Sequence, residues 1–323
     1  MSVVVGCSLF DGVLLLADVR GTVLRRGRGP VYVDNVQKLL PLTRWAAIGF
    51  VGDITTAACI LQKMTTQVRT FRTTRRQHTV ALLTWIPRFL RAEYQSLGIN
   101  AKSVTFMVGS VIPDRLNIIE RAKAAALLDR FRLQNLSHQR NWLPRVLLDV
   151  LRSPPEATHV ALAGVPANLL YVLASPRFEP ELIQPLESRA IGSGQSTAVE
   201  LDRQGDMVFA GEVGNDAMEA MALTKAVEDH LQDAKLDTVG GLLPCIKVCG
   251  RGVLLLGSRA EIPIGGEKIE LFASSSGRWV QRHLNSGKEI PLQLPWEINF
   301  HQCHKSNRFD HLSEAVRQLR KGK

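Results

Sequence analysis

Short apolar runs separated by turn residues make up the first 52 positions of the chain. Residues 3–9 form a β-rich run, and Asp11-Gly12 separates them from a second apolar run at 13–18. Asp-Gly between two apolar runs is typical of a β-hairpin. A third run, residues 45–51, ends at Gly52. The pattern therefore predicts that residues 1–52 form hairpin strands.

The hydrophobic period changes at Asp53, where a helical pattern begins. Asp is a favoured N-cap residue, and apolar residues follow it at helical spacing: Ala57, Ile60, Leu61, Met64 and Val68. We predict two helices within residues 53–97, the second carrying Pro87 and ending at Gly98. Further helical patterns occupy residues 114–152 and residues 216–234.

Strand patterns fill most of the remaining chain, at residues 104–111, 159–165, 169–174, 242–248 and 252–257. Residues 261–323 form a β-rich extension that closes in a short basic helix at 312–320. This order predicts an α+β fold in which helices cover both faces of two stacked antiparallel sheets, a four-layer αββα sandwich. Packing between the inner sheet faces would explain the nearly continuous apolar runs at 13–17 and 252–256.

Ser2 lies directly after the initiator Met. Removal of Met1 would leave Ser2 with a hydroxyl that attacks a carbonyl and an α-amine that takes the proton. An α-amine has a pKa near 7.7–8.0, so a sizeable minority of it is a neutral base at pH 7. Thr with an N-terminal amine is a known activated nucleophile, and Ser offers the same atoms. The alternative is that Ser2 serves only to allow removal of Met1.

Several short motifs follow Ser2 in a recognisable order: Gly6, Asp11-Gly12, Ala17-Asp18-Val19-Arg20, Lys38, Gly52, Ala190-Ile191-Gly192-Ser193-Gly194 and Asp237-Thr238-Val239-Gly240-Gly241. In this order and spacing the chain resembles the proteasome β-subunit family, including its bacterial relatives, within the wider N-terminal-nucleophile hydrolases. The resemblance covers roughly residues 1–110 and 158–260. It implies a domain at 1–260, with residues at about 112–156 as a helical insertion that the family pattern does not require.

The resemblance also implies roles for individual residues. The Lys38 ammonium would lie near Ser2 and favour an oxyanion, and Asp18 would pair with Lys38 and compensate its charge. Gly52 would offer a backbone N–H to the oxyanion, a contribution on the order of 3 kcal/mol. Ser193 and Asp237 would orient the α-amine of Ser2. The alternative for Lys38 and Asp18 is a salt bridge at an exposed strand end.

Two positions depart from the family pattern. Ser2 stands where the family usually has Thr, and Ser lacks the β-methyl that restricts χ1. Gly240 stands where the family has a Ser. A peptidase or amide hydrolase that acts on peptide or protein in a homo-oligomeric ring is the first hypothesis. A catalytically silent, proteasome-like structural or binding subunit is the second, and a small-molecule amidase the third. The sequence identifies no ATPase partner.

Composition narrows the remaining classes. The 323 residues are 45% hydrophobic with a mean hydropathy of +0.01, which predicts a globular chain with one substantial core or two modest ones. No stretch approaches the roughly 20 apolar residues of a membrane span, and no secretory leader is visible. We therefore expect a cytoplasmic protein that has no membrane contact and needs no cofactor.

Cysteines and charge add two weaker possibilities. The five cysteines, Cys7, Cys59, Cys245, Cys249 and Cys303, form no disulfide framework. Cys245 and Cys249 would share a strand face, and a zinc site completed by residues 301–304 is the alternative. The spacing fits no common zinc finger, so we predict thiols without metal. The net charge of +10 gives weak nucleic-acid affinity at low salt. Without interleaved aromatic residues or a binding motif, specific nucleic-acid binding is not predicted.

Overall fold

The structure, a computed structural model, describes residues 2–8, 12–23, 31–33, 35–71, 79–111, 168–183, 188–193, 224, 227, 242–249, 252–256, 258–260, 269–274 and 277–298. The predicted insertion at 112–156, the strand at 159–165 and the basic helix at 312–320 lie outside these residues. So does the helix at 216–234, apart from Thr224 and Val227, which are helical.

The described part of the chain forms strands and two long helices in this order: β1 Val3–Ser8, β2 Gly12–Ala17, β3 Gly21–Val23, β4 Val31–Val33, β5 Leu39–Thr43, β6 Ala46–Gly52, α1 Ile54–Phe71, α2 Thr79–Leu97, β7 Val104–Val111, β8 Asn168–Ala174, β9 Pro180–Ile183, β10 Ser188–Gly192, β11 Cys245–Cys249, β12 Gly252–Leu256, β13 Ser258–Ala260, β14 Ile269–Ala273, β15 Trp279–His283 and β16 Glu289–Pro291. Short 3₁₀ turns follow at Gly98–Asn100 and Pro295–Glu297.

These strands form two five-stranded sheets, a four-stranded sheet and a short hairpin. The first sheet has the order β10-β1-β2-β11-β12, and the second has the order β5-β6-β7-β8-β9. Neighbouring strands within both sheets are antiparallel. Helices combined with mainly antiparallel sheets confirm the predicted α+β class.

Strand β2 is buried on both faces. Val13, Leu15 and Ala17 belong to a hydrophobic cluster that also contains Met107 and Leu170 of the second sheet. On the opposite face, Leu14 and Leu16 pack in a separate cluster with Val227 and other residues. The uninterrupted apolar run at 13–17 is thus explained by packing on both sides.

Strand β12 is less buried than β2. It lies at the edge of the first sheet, and Val253–Leu256 are only partly buried. An edge strand has a neighbouring strand on one side only. Val253 and Leu255 nevertheless pack against the cluster between the two main sheets, where the sequence predicts this run to lie.

Helix α1 begins as its sequence predicts. The Asp53 carboxylate accepts hydrogen bonds from the Thr56 backbone N–H and hydroxyl, both at 2.8 Å, which caps the helix. All five residues at helical spacing are buried: Ala57, Ile60, Leu61, Met64 and Val68. They pack with the second sheet and with α2, which contains Pro87 and ends before Gly98. Within the described residues, neither helix is long and apolar enough to cross a membrane.

The described part of the C-terminal extension contains β14, β15 and β16, which form a four-stranded sheet with β13. Four of its residues, Ile269, Leu271, Trp279 and Leu292, are buried in the cluster between the two main sheets. Ile298 packs in the cluster around α1. The extension is therefore packed against the cores of both main sheets.

Candidate active site

The candidate site lies where the ends of five strands of the two main sheets come together. Ser2 precedes β1, Asp18 follows β2, and Gly192 ends β10 in the first sheet. Lys38 precedes β5 and Gly52 ends β6 in the second sheet. Because β1 pairs antiparallel with both β2 and β10, the start of β1 lies beside the ends of its neighbours. The topology thus gathers residues that are far apart in sequence.

Lys38 connects the nucleophile candidate to its acidic partner. Its Nζ lies 2.9 Å from Ser2 Oγ and 2.7 Å from Asp18 Oδ1, and it also donates to the carbonyl oxygen of Arg20. An ammonium has three N–H groups, and these three acceptors match them. The structure therefore places the predicted Ser2, Asp18 and Lys38 in one hydrogen-bonded group.

Both charged side chains of this group are withdrawn from solvent. Lys38 and Asp18 are each 0% exposed, so the alternative of a salt bridge at an exposed strand end is wrong. Two buried charges are costly to desolvate, and the cost is offset only when each finds good partners. A buried pair that also touches a serine hydroxyl is therefore a better candidate for chemistry than for stability.

Asp18 is held by main-chain donors as well as by Lys38. Its Oδ1 accepts the Val3 N–H at 2.9 Å, and its Oδ2 accepts the Arg20 N–H at 3.2 Å. Burial raises the pKa of Asp18 above its usual 3.8, while Lys38 and these two amides act in the opposite direction. The carboxylate is thus fixed in orientation and sensitive to the loss of its partners.

The end of β10 holds the backbone of Ser2. The Ser193 N–H donates to the Ser2 carbonyl oxygen at 2.9 Å, and the Ser193 hydroxyl lies 3.4 Å from the same oxygen. Ser193 was expected to orient the Ser2 α-amine, whereas these contacts run to the Ser2 carbonyl. Ser193 therefore positions Ser2 through its main chain.

Gly192 fits closely against Ser2. Its φ is +88°, and a Cβ there would lie 2.0 Å from the Ser2 carbonyl oxygen. The same Cβ would lie 3.1 Å from a methyl group of Val51, the residue before Gly52. Only glycine allows the backbones of residues 192 and 2 to approach so closely.

Gly52 lies at the end of β6, on the same side of the molecule as Ser2. Its φ is +102°, and a Cβ would lie 2.5 Å from the Ser103 carbonyl oxygen. The next amide, that of Asp53, already donates to this oxygen at 2.9 Å. Its neighbour Val51 lies close to Gly192, which contacts Ser2. This position is compatible with the predicted role of Gly52 as an oxyanion donor.

Some predicted residues lie outside the described part of the chain. Asp237 and Gly240 are among them, so their relation to Ser2 is not described. Two contributions were missed by sequence reasoning: the Arg20 carbonyl and the steric role of Gly192. Gly192 carried a signal, because it sits in the motif at 190–194, but a carbonyl acceptor leaves no trace in residue type.

The cysteines do not form a second centre in the described structure. Cys7, Cys245 and Cys249 are buried in the first sheet and form no disulfide within the described residues. Among the described residues, no group of three or more His, Cys, Asp and Glu side chains could hold a metal ion. The residues of the zinc alternative at 301–304 lie outside that part.

No protein-family model matches this chain, and no curated protein matches it.

Proposed function

We propose that the protein is a proteasome-like N-terminal-nucleophile hydrolase that cleaves peptide or other amide bonds with Ser2. The observation that carries this proposal is the 2.9 Å hydrogen bond between Ser2 Oγ and the buried Lys38. The same lysine is compensated by Asp18 at 2.7 Å. A hydroxyl whose neighbour is a fixed buried cation is stabilised as it becomes an alkoxide.

The proton acceptor is best assigned to the Ser2 α-amine. Lys38 next to ionised Asp18 is an ammonium that donates to Ser2 Oγ, and an ammonium has no lone pair with which to take a proton. An α-amine released by removal of Met1 has a pKa suited to a general base near neutral pH. Lys38 then supports the negative charge on Oγ while the amine receives the proton.

The fold supports the same proposal at the level of architecture. The two main sheets share one hydrophobic cluster, and α1 and α2 pack with the outer face of the second sheet. Helical Val227 packs with the outer face of the first sheet. We infer a four-layer αββα arrangement of the N-terminal-nucleophile hydrolase type, with the site at one edge of the two sheets.

The reaction proceeds in two steps, formation of a Ser2 ester and its hydrolysis. Ser2 Oγ forms a bond to the substrate carbonyl carbon, and its proton passes to the α-amine. The Gly52 N–H stabilises the oxyanion, the carbon–nitrogen bond breaks, and the proton is delivered to the leaving amine. Water then attacks the Ser2 ester and gives a proton to the α-amine. The carbon–oxygen bond to Oγ breaks, the acid is released, and the proton returns to Ser2.

The decisive experiment is covalent labelling with a β-lactone, followed by intact-mass analysis and peptide mapping. Wild-type protein is expected to begin at Ser2 and to gain one lactone mass on that residue. Ser2→Ala is expected to remain unlabelled. Ser2→Thr is expected to label at least as fast as wild type, because the added methyl restricts χ1.

The matched pair of variants separates the enzyme from a silent subunit. If wild type and Ser2→Ala are equally unreactive while both are folded, or if labelled protein retains Met1, the hydrolase assignment fails. The silent structural or binding subunit, which the Ser at position 2 and Gly240 favour, would then replace it.

A further inference from the structure

The segment that carries Lys38 is hydrogen-bonded on both sides to other segments of the same chain. On one side, the Val36 N–H donates to the Val19 carbonyl at 2.9 Å, next to Asp18. On the other side, the Gln37 N–H donates to the Gln293 carbonyl at 2.8 Å, and the Gln293 N–H donates to the Asn35 carbonyl at 2.7 Å. Val36 and Gln293 form a parallel bridge. We call residues 292–294 the C-terminal clamp.

The clamp is itself firmly attached to the extension. The Leu292 N–H donates to the Trp279 carbonyl at 2.8 Å, and both side chains are 0% exposed. Arg278 binds the Glu297 carboxylate with two nitrogens, at 3.1 and 2.5 Å, and the same carboxylate accepts the Leu294 N–H at 3.2 Å. The clamp is therefore fixed at both of its ends.

The Lys38 segment depends on these main-chain bonds. The side-chain oxygens of Asn35 and Gln37 are buried without a hydrogen-bond partner, so they do not fix the segment. Lys38 must nevertheless reach Ser2, Asp18 and the Arg20 carbonyl at once. A displacement of about 1 Å in such a site costs on the order of 10²-fold in rate.

We propose that the C-terminal clamp is a positioning element of the active site, and that the Gln293 backbone sets the position of Lys38. This inference rests on the proposed function for its catalytic meaning. It assigns a part in assembling the site to the extension, which lies outside the residues that the family resemblance covers. The Gln293 main chain acts through Lys38 and touches neither Ser2 nor substrate.

The test compares Gln293→Pro with Gln293→Ala in the full chain. Proline removes the N–H that bonds Asn35, whereas alanine keeps both main-chain bonds. Gln293→Pro is expected to lower the rate of β-lactone labelling of Ser2 at least tenfold, and Gln293→Ala is expected to match wild type. Leu90→Ala, a buried position in α2, serves as a destabilised variant with an intact clamp and is expected to label at the wild-type rate.

A second readout does not require activity. An amine-acetylating reagent, with mass spectrometry, reports exposure of individual lysines. Lys63 and Lys102 are 54% and 74% exposed and should label in every variant. Lys38 and Lys247 are both 0% exposed in wild type. In Gln293→Pro, Lys38 is expected to become labelled while Lys247, in β11, remains protected.

Two results would overturn the clamp. One is a folded Gln293→Pro protein in which Lys38 stays as protected as in wild type. The other is equal exposure of Lys38 and Lys247, which would mean general loosening. If wild type fails to react with the lactone, the proposed function fails, but the lysine readout still tests the clamp.

Hydrogen exchange on wild type covers the case in which Gln293→Pro does not fold. The Gln37 and Gln293 amides are expected to exchange with one common opening free energy, because both bonds break when the clamp opens. The Val36 amide, bonded to Val19, should remain protected for longer. Different opening free energies for Gln37 and Gln293 would contradict the proposal.

Discussion

At the scale of single residues, Lys38 and Asp18 depend on each other for their burial. Each is fully buried, and the Nζ–Oδ1 distance is 2.7 Å. Removal of one partner from such a pair leaves an uncompensated buried charge, which typically costs about 3–5 kcal/mol. The pair thus links the proposed catalysis by Ser2 to the free energy of unfolding.

The variant Lys38→Met is expected to lose lactone labelling of Ser2 and to be destabilised more at pH 7.5 than at pH 4.5. Burial raises the pKa of Asp18, and Lys38→Met removes the cation that lowers it. The folded variant then holds a proton on Asp18 that the unfolded chain releases above about pH 3.9. The stability that this proton contributes is fully present below that pH and is lost as the pH rises through the raised pKa of Asp18.

Urea denaturation at the two pH values checks this expectation. The control is Lys38→Met combined with Asp18→Asn, which removes both charges. This double variant should regain most of the lost stability at pH 7.5 while remaining inactive. An equal loss for Lys38→Met at both pH values would show that Asp18 is not the source of the effect.

Residue identity made some of this site predictable. Ser2, Asp18 and Lys38 are visible in the sequence because each has a distinctive side chain in a recognisable order. The Arg20 carbonyl is invisible, since every residue has one. The hydrogen bond from Ser193 to the Ser2 carbonyl is invisible for the same reason, and the role of Ser193 toward the α-amine stays a prediction.

At the scale of elements, the sequence predicts the features that depend on neighbouring residues, but it does not predict pairing between distant segments. The Asp53 cap and the apolar stripe of α1 follow from neighbouring residues alone. The half-burial of β12 depends on strand order, which places it at a sheet edge. The bridge between Val36 and Gln293 joins two irregular segments that carry no strand pattern, so nothing local predicts it.

Gly192→Ala tests the close approach of β10 and Ser2. The new Cβ would lie 2.0 Å from the Ser2 carbonyl oxygen, so one chain must move and carry Ser2 away from Lys38. Lactone labelling of Ser2 is expected to fall by about 10²-fold or more. Gly277→Ala is the matched control, because Gly277 also has a positive φ, +77°, with open space around it.

The control separates strain from displacement. Both alanines cost about 1–2 kcal/mol for a left-handed backbone, and Gly192→Ala should lose further stability through its clash with the Ser2 carbonyl oxygen. Gly277→Ala should nevertheless label at the wild-type rate. Equal labelling of the two variants would remove the steric argument for Gly192.

At the scale of the whole molecule, the α+β class was predictable from the alternation of periods, whereas the integration of the extension was not. Leu271, Trp279 and Leu292 look like ordinary strand residues in the sequence, yet they lie in the cluster between the two main sheets. Which cluster an apolar residue joins depends on long-range packing, and the hydrophobic pattern specifies only that it is buried.

We expect a homo-oligomeric ring, in which the outer surface of α1 and α2 is one candidate contact between subunits. Within the described residues, Ile99 and Leu284 are the exposed large hydrophobic residues, and two isolated side chains do not make an apolar interface. Contacts between subunits should therefore be polar, and salt should weaken the ion pairs among them. Mass photometry at micromolar protein is expected to show a species several times 35.7 kDa at 50 mM salt and partial dissociation at 1 M.

Ser2→Ala should assemble like wild type, because the Ser2 hydroxyl is buried within one subunit. A 35.7 kDa species alone at both salt concentrations would contradict the ring and leave a hydrolase that works as a monomer.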